Sequence, residues 1–169
     1  MKTLIIYSSK KGSTKTCGEM LKQKLKGEAQ MISINKVDTV SLESYDKIIL
    51  GTPIYAGMFN TALKKFIDEH EALLASKPSF LFICSMDATS QDTYLNNNLS
   101  PNQLQAFKAT THCGGAFYFD KMNFIEKFII KKITKMKEPN RKIDTKTNEL
   151  HFNTSAIDSF ASQINTCTI

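Results

Sequence analysis

Residues 3–16 read TLIIYSSKKGSTKT, an apolar run that favours a β-strand, then a polar loop, then the start of a segment with helical spacing. The nine residues SSKKGSTKT at positions 8–16 contain five hydroxyl side chains, three lysines and one glycine. A strand that passes into a helix through such a loop brings hydroxyls and backbone N–H groups to a helix N-terminus. We therefore expect residues 9–14 to bind a small dianion such as a phosphate monoester. The alternative is that Ser13 or Thr14 only caps the helix and the lysines are solvated.

Two known phosphate-binding patterns are absent from this loop. It lacks the G-x-x-x-x-G-K-[ST] pattern of a Walker loop, and it has one glycine where the dinucleotide-binding fingerprint needs three. A nucleoside triphosphate or a dinucleotide is therefore not expected here.

Apolar β-prone runs recur at residues 3–8, 30–34, 46–51, 79–85 and 113–119, and segments with i, i+3, i+4 apolar spacing lie between them. The last such segment begins at Asn153 or Thr154. Continuous apolar strands that alternate with helices predict an α/β fold, a doubly wound five-stranded parallel sheet with helices on both faces. The 169 residues fit one domain, 1–169.

Composition limits the cellular context. No apolar run is long enough for a membrane span, and no signal peptide is recognisable, so we expect a cytoplasmic protein. The four cysteines have no metal-type spacing, and we expect reduced, buried thiols and no metal site. A phosphoacceptor receiver domain shares the architecture but needs carboxylates where Ser8, Ser9 and Thr52 stand.

The third apolar run continues into ILGTPIYAG, residues 49–57. In a doubly wound sheet, ligands bind at the carboxyl ends of the strands. Together, SSKKGST and GTPIYAG resemble the flavodoxin superfamily, whose sheet has the strand order 2-1-3-4-5 and whose cofactor is FMN. This resemblance implies three FMN-contacting loops: Ser9, Lys10, Lys11, Gly12, Ser13 and Thr14 at the phosphate; Thr52, Pro53, Ile54, Tyr55, Ala56 and Gly57 beside the ring; and Ser85, Met86 and Asp87. Lys11 stands where the family usually has threonine.

A basic segment carries most of the +6 net charge, because residues 120–146 contain nine basic and four acidic residues. It lies in an insertion of about residues 119–152, after the fifth strand. Apolar residues at helical spacing predict a basic amphipathic helix over 121–137, with Met122, Ile125, Phe128 or Ile129, Ile133 and Met136 on one face. That face either packs on its own domain or meets a membrane surface or hydrophobic substrate. No aromatic interleaving supports nucleic-acid binding.

Across nearly the whole chain, the sequence is similar to the menaquinone-dependent protoporphyrinogen dehydrogenase group of flavodoxin-like proteins, which carry a similar helix. The resemblance implies an FMN-dependent oxidoreductase acting on a small-molecule redox substrate or quinone. The apolar face and the lysines of the basic helix also predict peripheral contact with the inner face of the membrane, through Lys127, Lys131, Lys132 and Lys135. The alternative is a flavodoxin-type electron carrier without a substrate of its own. No catalytic residue is assigned, and the oligomeric state stays open.

Overall fold

The structure is a computed structural model that describes residues 1–168. Five parallel strands form its main sheet in the order 2-1-3-4-5, which confirms the predicted order. These strands are β1 (Lys2–Tyr7), β2 (Glu28–Ser33), β3 (Lys47–Pro53), β4 (Ser79–Cys84) and β5 (Phe107–His112). The chain reverses its direction of winding between β1 and β3, so the loops after these two strands lie at the topological switch point.

Helices connect the strands and cover both faces of the sheet. They are α1 (Ser13–Lys22), α2 (Thr61–Glu69), α3 (Glu71–Ser76), α4 (Gln91–Asn98), α5 (Pro101–Ala106), α6 (Phe124–Lys137) and α7 (Thr154–Thr166). The second predicted helical segment is divided into α2 and α3 at His70, which leaves helical geometry. The predicted start of the last helix is confirmed, because the Asn153 side chain accepts a hydrogen bond from Ala156 N–H at 3.0 Å.

Two apolar cores result from the alternation of side chains along the strands. Leu4 and Ile6 of β1 belong to the core that includes Leu63 and Phe66 of α2, whereas Ile5 belongs to the core on the opposite face. That second core contains residues of α1 and α7. Both faces of the sheet are therefore covered, as predicted.

The predicted fifth strand was misplaced. The sheet uses Phe107–His112 as β5, whereas Gly114–Phe117 forms a separate strand β6, antiparallel to β7 (Glu149–Phe152). The sequence of β5, FKATTH, mixes polar and apolar residues because β5 lies at the edge of the sheet and its middle residues are partly exposed. A search for continuous apolar runs therefore missed it and selected the adjoining CGGAFYF.

The predicted basic helix is present as α6, and Asn123 and Glu126 form a capping box at its start, with hydrogen bonds of 2.9 and 3.0 Å. The inward side of α6 agrees with the predicted apolar face only in part: Met122, Ile129 and Ile133 of that face turn toward the sheet, but others do not. Thr134 is buried and Ile130 partly buried, whereas Phe128, at 60%, and Met136, at 75%, are exposed. Within residues 1–168, no helix has the length and apolarity to cross a bilayer.

Candidate functional site

The loop between β1 and α1 has an open helix N-terminus. Gly12 is the N-cap of α1 with φ of 118°, a left-handed conformation that side chains rarely adopt. Among the described residues, no cap side chain accepts a hydrogen bond from the first-turn N–H groups of α1, while Gly12 N–H donates to Ser9 Oγ at 3.1 Å. Ser13 and Thr14 are helical residues, so neither is the helix cap. This geometry suits an anion better than the capping alternative.

In the part of the chain that the structure describes, two hydroxyls at the ends of this loop are buried without a hydrogen-bond partner. They are Ser8 Oγ and Thr14 Oγ1, in residues that are 2% and 0% exposed. Buried polar atoms are normally paired, and an unpaired one costs stability. An oxygen-rich ligand beside the α1 N-terminus would supply the missing acceptor, so the loop fits a phosphate group.

Lysines surround this loop, and one of them is held by α6. Lys11 Nζ donates to Glu126 Oε2 at 2.8 Å and to the Lys121 carbonyl at 2.7 Å. Lys121 Nζ in turn donates to the Lys11 carbonyl at 3.3 Å and lies 4.6 Å from the centre of the Tyr118 ring. The hydrogen bond from Lys11 lowers the pKa of the Glu126 carboxyl. The loop and the insertion are therefore joined by charge-assisted hydrogen bonds.

A cavity of about 360 Å³ extends from this loop along the carboxyl ends of β3 and β4 and beneath α6. Its volume lies within the range of ligand pockets, roughly 300–1,000 Å³. Eight of the residues predicted from the sequence line it: Lys11, Ser13, Pro53, Ile54, Tyr55, Ala56, Ser85 and Met86. Tyr55 and Met58 exchange two backbone hydrogen bonds of 3.0 Å, which close the tight turn that carries Tyr55.

The other predicted site residues lie around the cavity rather than on its wall. Ser9, Lys10, Gly12 and Thr14 belong to the α1 loop, and Lys10 Nζ lies 3.8 Å from Glu126 Oε1. Thr52 is buried, and its hydroxyl accepts from Asn60 N–H at 3.1 Å. The Gly57 carbonyl accepts from Asn98 Nδ2 at 2.9 Å, and the Asp87 carbonyl accepts from Ser85 Oγ at 2.9 Å.

Sequence reasoning did not assign a cavity wall to the insertion, although it placed Met122, Ile129 and Ile133 on the apolar face of the basic helix. The residues concerned come from β4, β6, α6 and the segment before α6, and are Cys84, Gly115, Ala116, Phe117, Met122, Ile129, Ile130, Ile133 and Thr134. One signal was present in the sequence, the pair Gly114–Gly115. A Cβ at Gly115 would lie 2.8 Å from the Ser85 backbone, so only glycine permits β6 to approach that loop so closely.

A second cavity, of about 430 Å³, shares Ser85 and Met86 with the first and also includes His112, Arg141 and His151. His112 Nδ1 accepts from Gly114 N–H at 3.1 Å, which leaves the proton of the neutral ring on Nε2, 2.8 Å from Ser85 Oγ. Burial lowers the pKa of His112. Arg141 is paired with Glu149 at 2.7 Å. No group of three or more His, Cys, Asp or Glu residues in the described part of the chain could hold a metal ion.

Comparison with known proteins identifies the family. Residues 4–144 match the family model described as Flavodoxin domain. Over 97% of this chain and 94% of the relative, the sequence is 24% identical to protoporphyrinogen IX dehydrogenase [quinone] of Escherichia coli K12. The protein of the same description from Leishmania major is 25% identical over 95% of this chain and 73% of its own length.

The fold agrees with solved flavodoxin structures. Flavodoxin 2 from Bacillus cereus superposes with a TM-score of 0.57 over 96% of this chain and 97% of that chain, at 19% identity. The open N-terminus of α1, the two unpaired hydroxyls and the neighbouring lysines are consistent with the phosphate of the family's cofactor. The chain therefore belongs to the flavodoxin family and is an FMN-binding, flavodoxin-like redox protein.

Proposed function

We propose that the loop of residues 9–14 holds the FMN phosphate and that the cavity beneath α6 receives the flavin ring. Gly12 allows the backbone to approach the phosphate, the first-turn N–H groups of α1 donate to it, and the Thr14 hydroxyl gains a partner. Lys11 adds a positive charge to the same position. When bound, FMN supplies the two-electron redox chemistry that the side chains lack.

The remaining predicted site residues act around the ring in this proposal. Pro53, Ile54, Tyr55 and Ala56 form one side of the cavity, while Ser85 and Met86 lie at its floor. Thr52, Gly57 and Asp87 hold the two loops in place through their hydrogen bonds. On the opposite side, Ile130 and Thr134 of α6 keep water from the cavity.

For the reaction, we propose an FMN-dependent dehydrogenase that oxidises an apolar small molecule of the protoporphyrinogen class and passes the electrons to a quinone. The observation that carries this proposal is the apolar edge of the cavity, where Ile129 and Ile133 are about half exposed and also line the interior. A hydrophobic substrate or quinone could reach the cavity along this edge. The similarity to protoporphyrinogen IX dehydrogenases, over nearly their whole length in one case, supports the same reaction.

Anaerobic turnover tests this proposal. Purified FMN-loaded protein is mixed with protoporphyrinogen IX and a soluble menaquinone analogue, and porphyrin fluorescence is recorded. We expect quinone-dependent porphyrin formation by the wild type. We expect Ile129→Glu/Ile133→Glu to lose this activity even at FMN concentrations that saturate the variant. Absence of turnover by protein that retains FMN and reduces one-electron acceptors would instead favour the electron carrier.

We also propose that the outer face of α6 contacts an anionic membrane surface. Phe124 is 84% exposed and Met136 75% exposed, and lysines lie between the exposed apolar residues: Lys127, Lys131, Lys132 and Lys135. Exposed apolar side chains among lysines suit the interface of an anionic bilayer, where each lysine adds about 1 kcal/mol. This contact would bring the cavity edge close to membrane-dissolved quinone.

Vesicle sedimentation measures this contact. We expect the protein to pellet with vesicles that contain phosphatidylserine at low salt, to be released at high salt, and to ignore phosphatidylcholine vesicles. A variant with glutamate at the four named lysine positions should stay in the supernatant with FMN bound. The same sedimentation of variant and wild type would contradict the membrane proposal.

A further inference from the structure

A buried histidine at the end of β5 contacts the wall that the two cavities share. His112 is 5% exposed and lines the second cavity, whereas Ser85, which follows β4, lines both. His112 Nε2 lies 2.8 Å from Ser85 Oγ. Since the described residues around the first cavity include Ser85 but not His112, this histidine can act there only through the hydroxyl.

Three hydrogen bonds fix the His112 ring against the loop after β4. Ser85 N–H donates to the Gly114 carbonyl at 3.0 Å, and Gly114 N–H donates to His112 Nδ1 at 3.1 Å. The contact between His112 Nε2 and Ser85 Oγ closes this circuit. Gly114 has φ of 76°, and a Cβ there would collide with the His151 carbonyl oxygen, so only glycine permits the arrangement.

The Ser85 hydroxyl has one hydrogen and two lone pairs, and the hydrogen and one lone pair are already used. Its hydrogen is directed to the Asp87 carbonyl, 2.9 Å away, and one lone pair receives His112 Nε2–H. Because Gly114 N–H can only donate, Nδ1 must accept, and the proton of the neutral ring must lie on Nε2. Among the described residues, no partner takes the other lone pair of Ser85 Oγ. Ser85 can therefore offer a ligand in the first cavity a hydrogen-bond acceptor.

The same tautomer excludes Ser85 as an activated nucleophile. Such a serine needs a histidine nitrogen whose lone pair can take the hydroxyl proton. The lone pair of His112 Nδ1 already accepts from Gly114, and Nε2 carries the ring proton. Burial lowers the pKa of His112, which favours the neutral ring. His112 is therefore a fixed donor to Ser85 rather than a base.

We propose that His112 is a positioning residue, and that the Ser85 hydroxyl it orients accepts a hydrogen bond from the imide N–H of the flavin ring, an inference that rests on the proposed FMN site. The oxidised flavin ring has a single N–H donor, and a donor buried without an acceptor costs stability. A hydroxyl that rotated freely would present its own hydrogen to that donor in some orientations. The His112 donor and the Asp87 carbonyl together prevent this rotation, and such preorganisation lowers the cost of binding.

Two substitutions of His112 separate positioning from structural support. His112→Asn places an amide oxygen near the position of Nδ1, so it keeps the acceptor for Gly114 N–H and removes the donor to Ser85. His112→Gln places an amide nitrogen near the position of Nε2, so it keeps the donor to Ser85. A positioning role therefore predicts that His112→Gln resembles the wild type more closely than His112→Asn does.

Titration of the flavin-free protein with FMN, and with FMN methylated at the imide nitrogen, tests the hydrogen bond itself. Methylation removes the N–H, so the wild type should bind the methylated cofactor more weakly. We expect the ratio of the methylated to the unmethylated Kd to fall about three- to tenfold in Ser85→Ala and about two- to fivefold in His112→Asn. His112→Gln should keep the wild-type ratio, as should the control His151→Leu, whose ring lies in the second cavity beside Glu149.

The double variant Ser85→Ala/His112→Asn should show the same ratio as Ser85→Ala alone, because the hydroxyl that His112 orients is absent. Additive losses, or a larger loss in His112→Gln than in His112→Asn, would overturn the positioning role. FMN binding with equal ratios in the wild type and Ser85→Ala would overturn the inference and leave the FMN site intact, and this comparison needs no His112 variant to fold. Protein that does not quench FMN fluorescence would overturn the proposed function and this inference together.

Discussion

At the scale of single residues, the position of the α1 loop could be predicted from its composition, but its partners could not. SSKKGST indicates an anion site because hydroxyls, lysines and one glycine precede a helix. The sequence does not reveal that Lys11 is held by Glu126, 115 residues further along the chain. Such a contact depends on how the insertion folds back over the sheet.

Gly12→Val should weaken FMN binding more than Lys10→Ala. Valine is β-branched and strained at φ of 118°, and its Cβ would lie 3.4 Å from Lys121 Nζ. A left-handed residue other than glycine costs about 1–2 kcal/mol, which is about tenfold in Kd. Lys10 is exposed, and its loss should change Kd by about threefold or less. Flavin fluorescence quenching measures both constants, and equal losses would mean that charge rather than backbone geometry holds the phosphate.

Glu126→Gln should raise the preference of the protein for FMN over riboflavin. Glu126 forms an ion pair with Lys11 of the proposed phosphate loop, and glutamine removes that competing negative charge while it preserves the capping box with Asn123. We expect the ratio of riboflavin to FMN dissociation constants to rise about two- to fivefold at low salt. An unchanged ratio would place the phosphate away from Lys11.

At the scale of elements, strands buried on both faces were predicted best. β3 and β4 are buried throughout, and their apolar runs identify them. β5 was misplaced because an edge strand tolerates polar residues. The helix α6 was predicted from its spacing, and its orientation only in part. Ile129 and Ile133 line the cavity as members of the predicted face, but apolar residues lie on more than one face and only the three-dimensional packing turns Ile130 inward and leaves Phe128 exposed.

Ile130→Ala and Phe124→Ala form a matched pair that tests the orientation of α6. Ile130 lines the cavity, whereas Phe124 is 84% exposed. Loss of the Ile130 side chain should weaken FMN binding by about three- to tenfold, because it removes apolar contact from the cavity wall. Phe124→Ala should leave the FMN dissociation constant unchanged. Titration of each flavin-free variant with FMN measures the two dissociation constants. A larger loss of affinity in Phe124→Ala than in Ile130→Ala would contradict the inward position of Ile130.

At the scale of the whole molecule, charge distinguishes this chain from a carrier that docks on basic reductases. Its net charge is +6, and much of the excess lies in the insertion that also forms a wall of the cavity. A carrier of that type needs an acidic surface around its flavin. Charge distribution, apolar cavity edge and similarity to quinone-linked dehydrogenases therefore favour the same proposed function. The position of the excess positive charge could be read from the sequence, whereas the apolar cavity edge could be recognised only in the folded structure.

Competitive binding of flavins to the flavin-free protein tests the central claim, that the α1 loop and the cavity beneath α6 together form a flavin mononucleotide site. FMN, riboflavin and FAD are titrated separately, and fluorescence quenching gives each dissociation constant. We predict one FMN per chain, bound at least about 100-fold more tightly than riboflavin, since each charge-assisted hydrogen bond to the phosphate contributes about 1.5–3 kcal/mol. FAD should bind weakly, because the loop of residues 9–14 suits one phosphate monoester and lacks the glycine pattern of a dinucleotide-binding loop. Equal affinity for FMN and riboflavin, or tighter binding of FAD, would contradict the account.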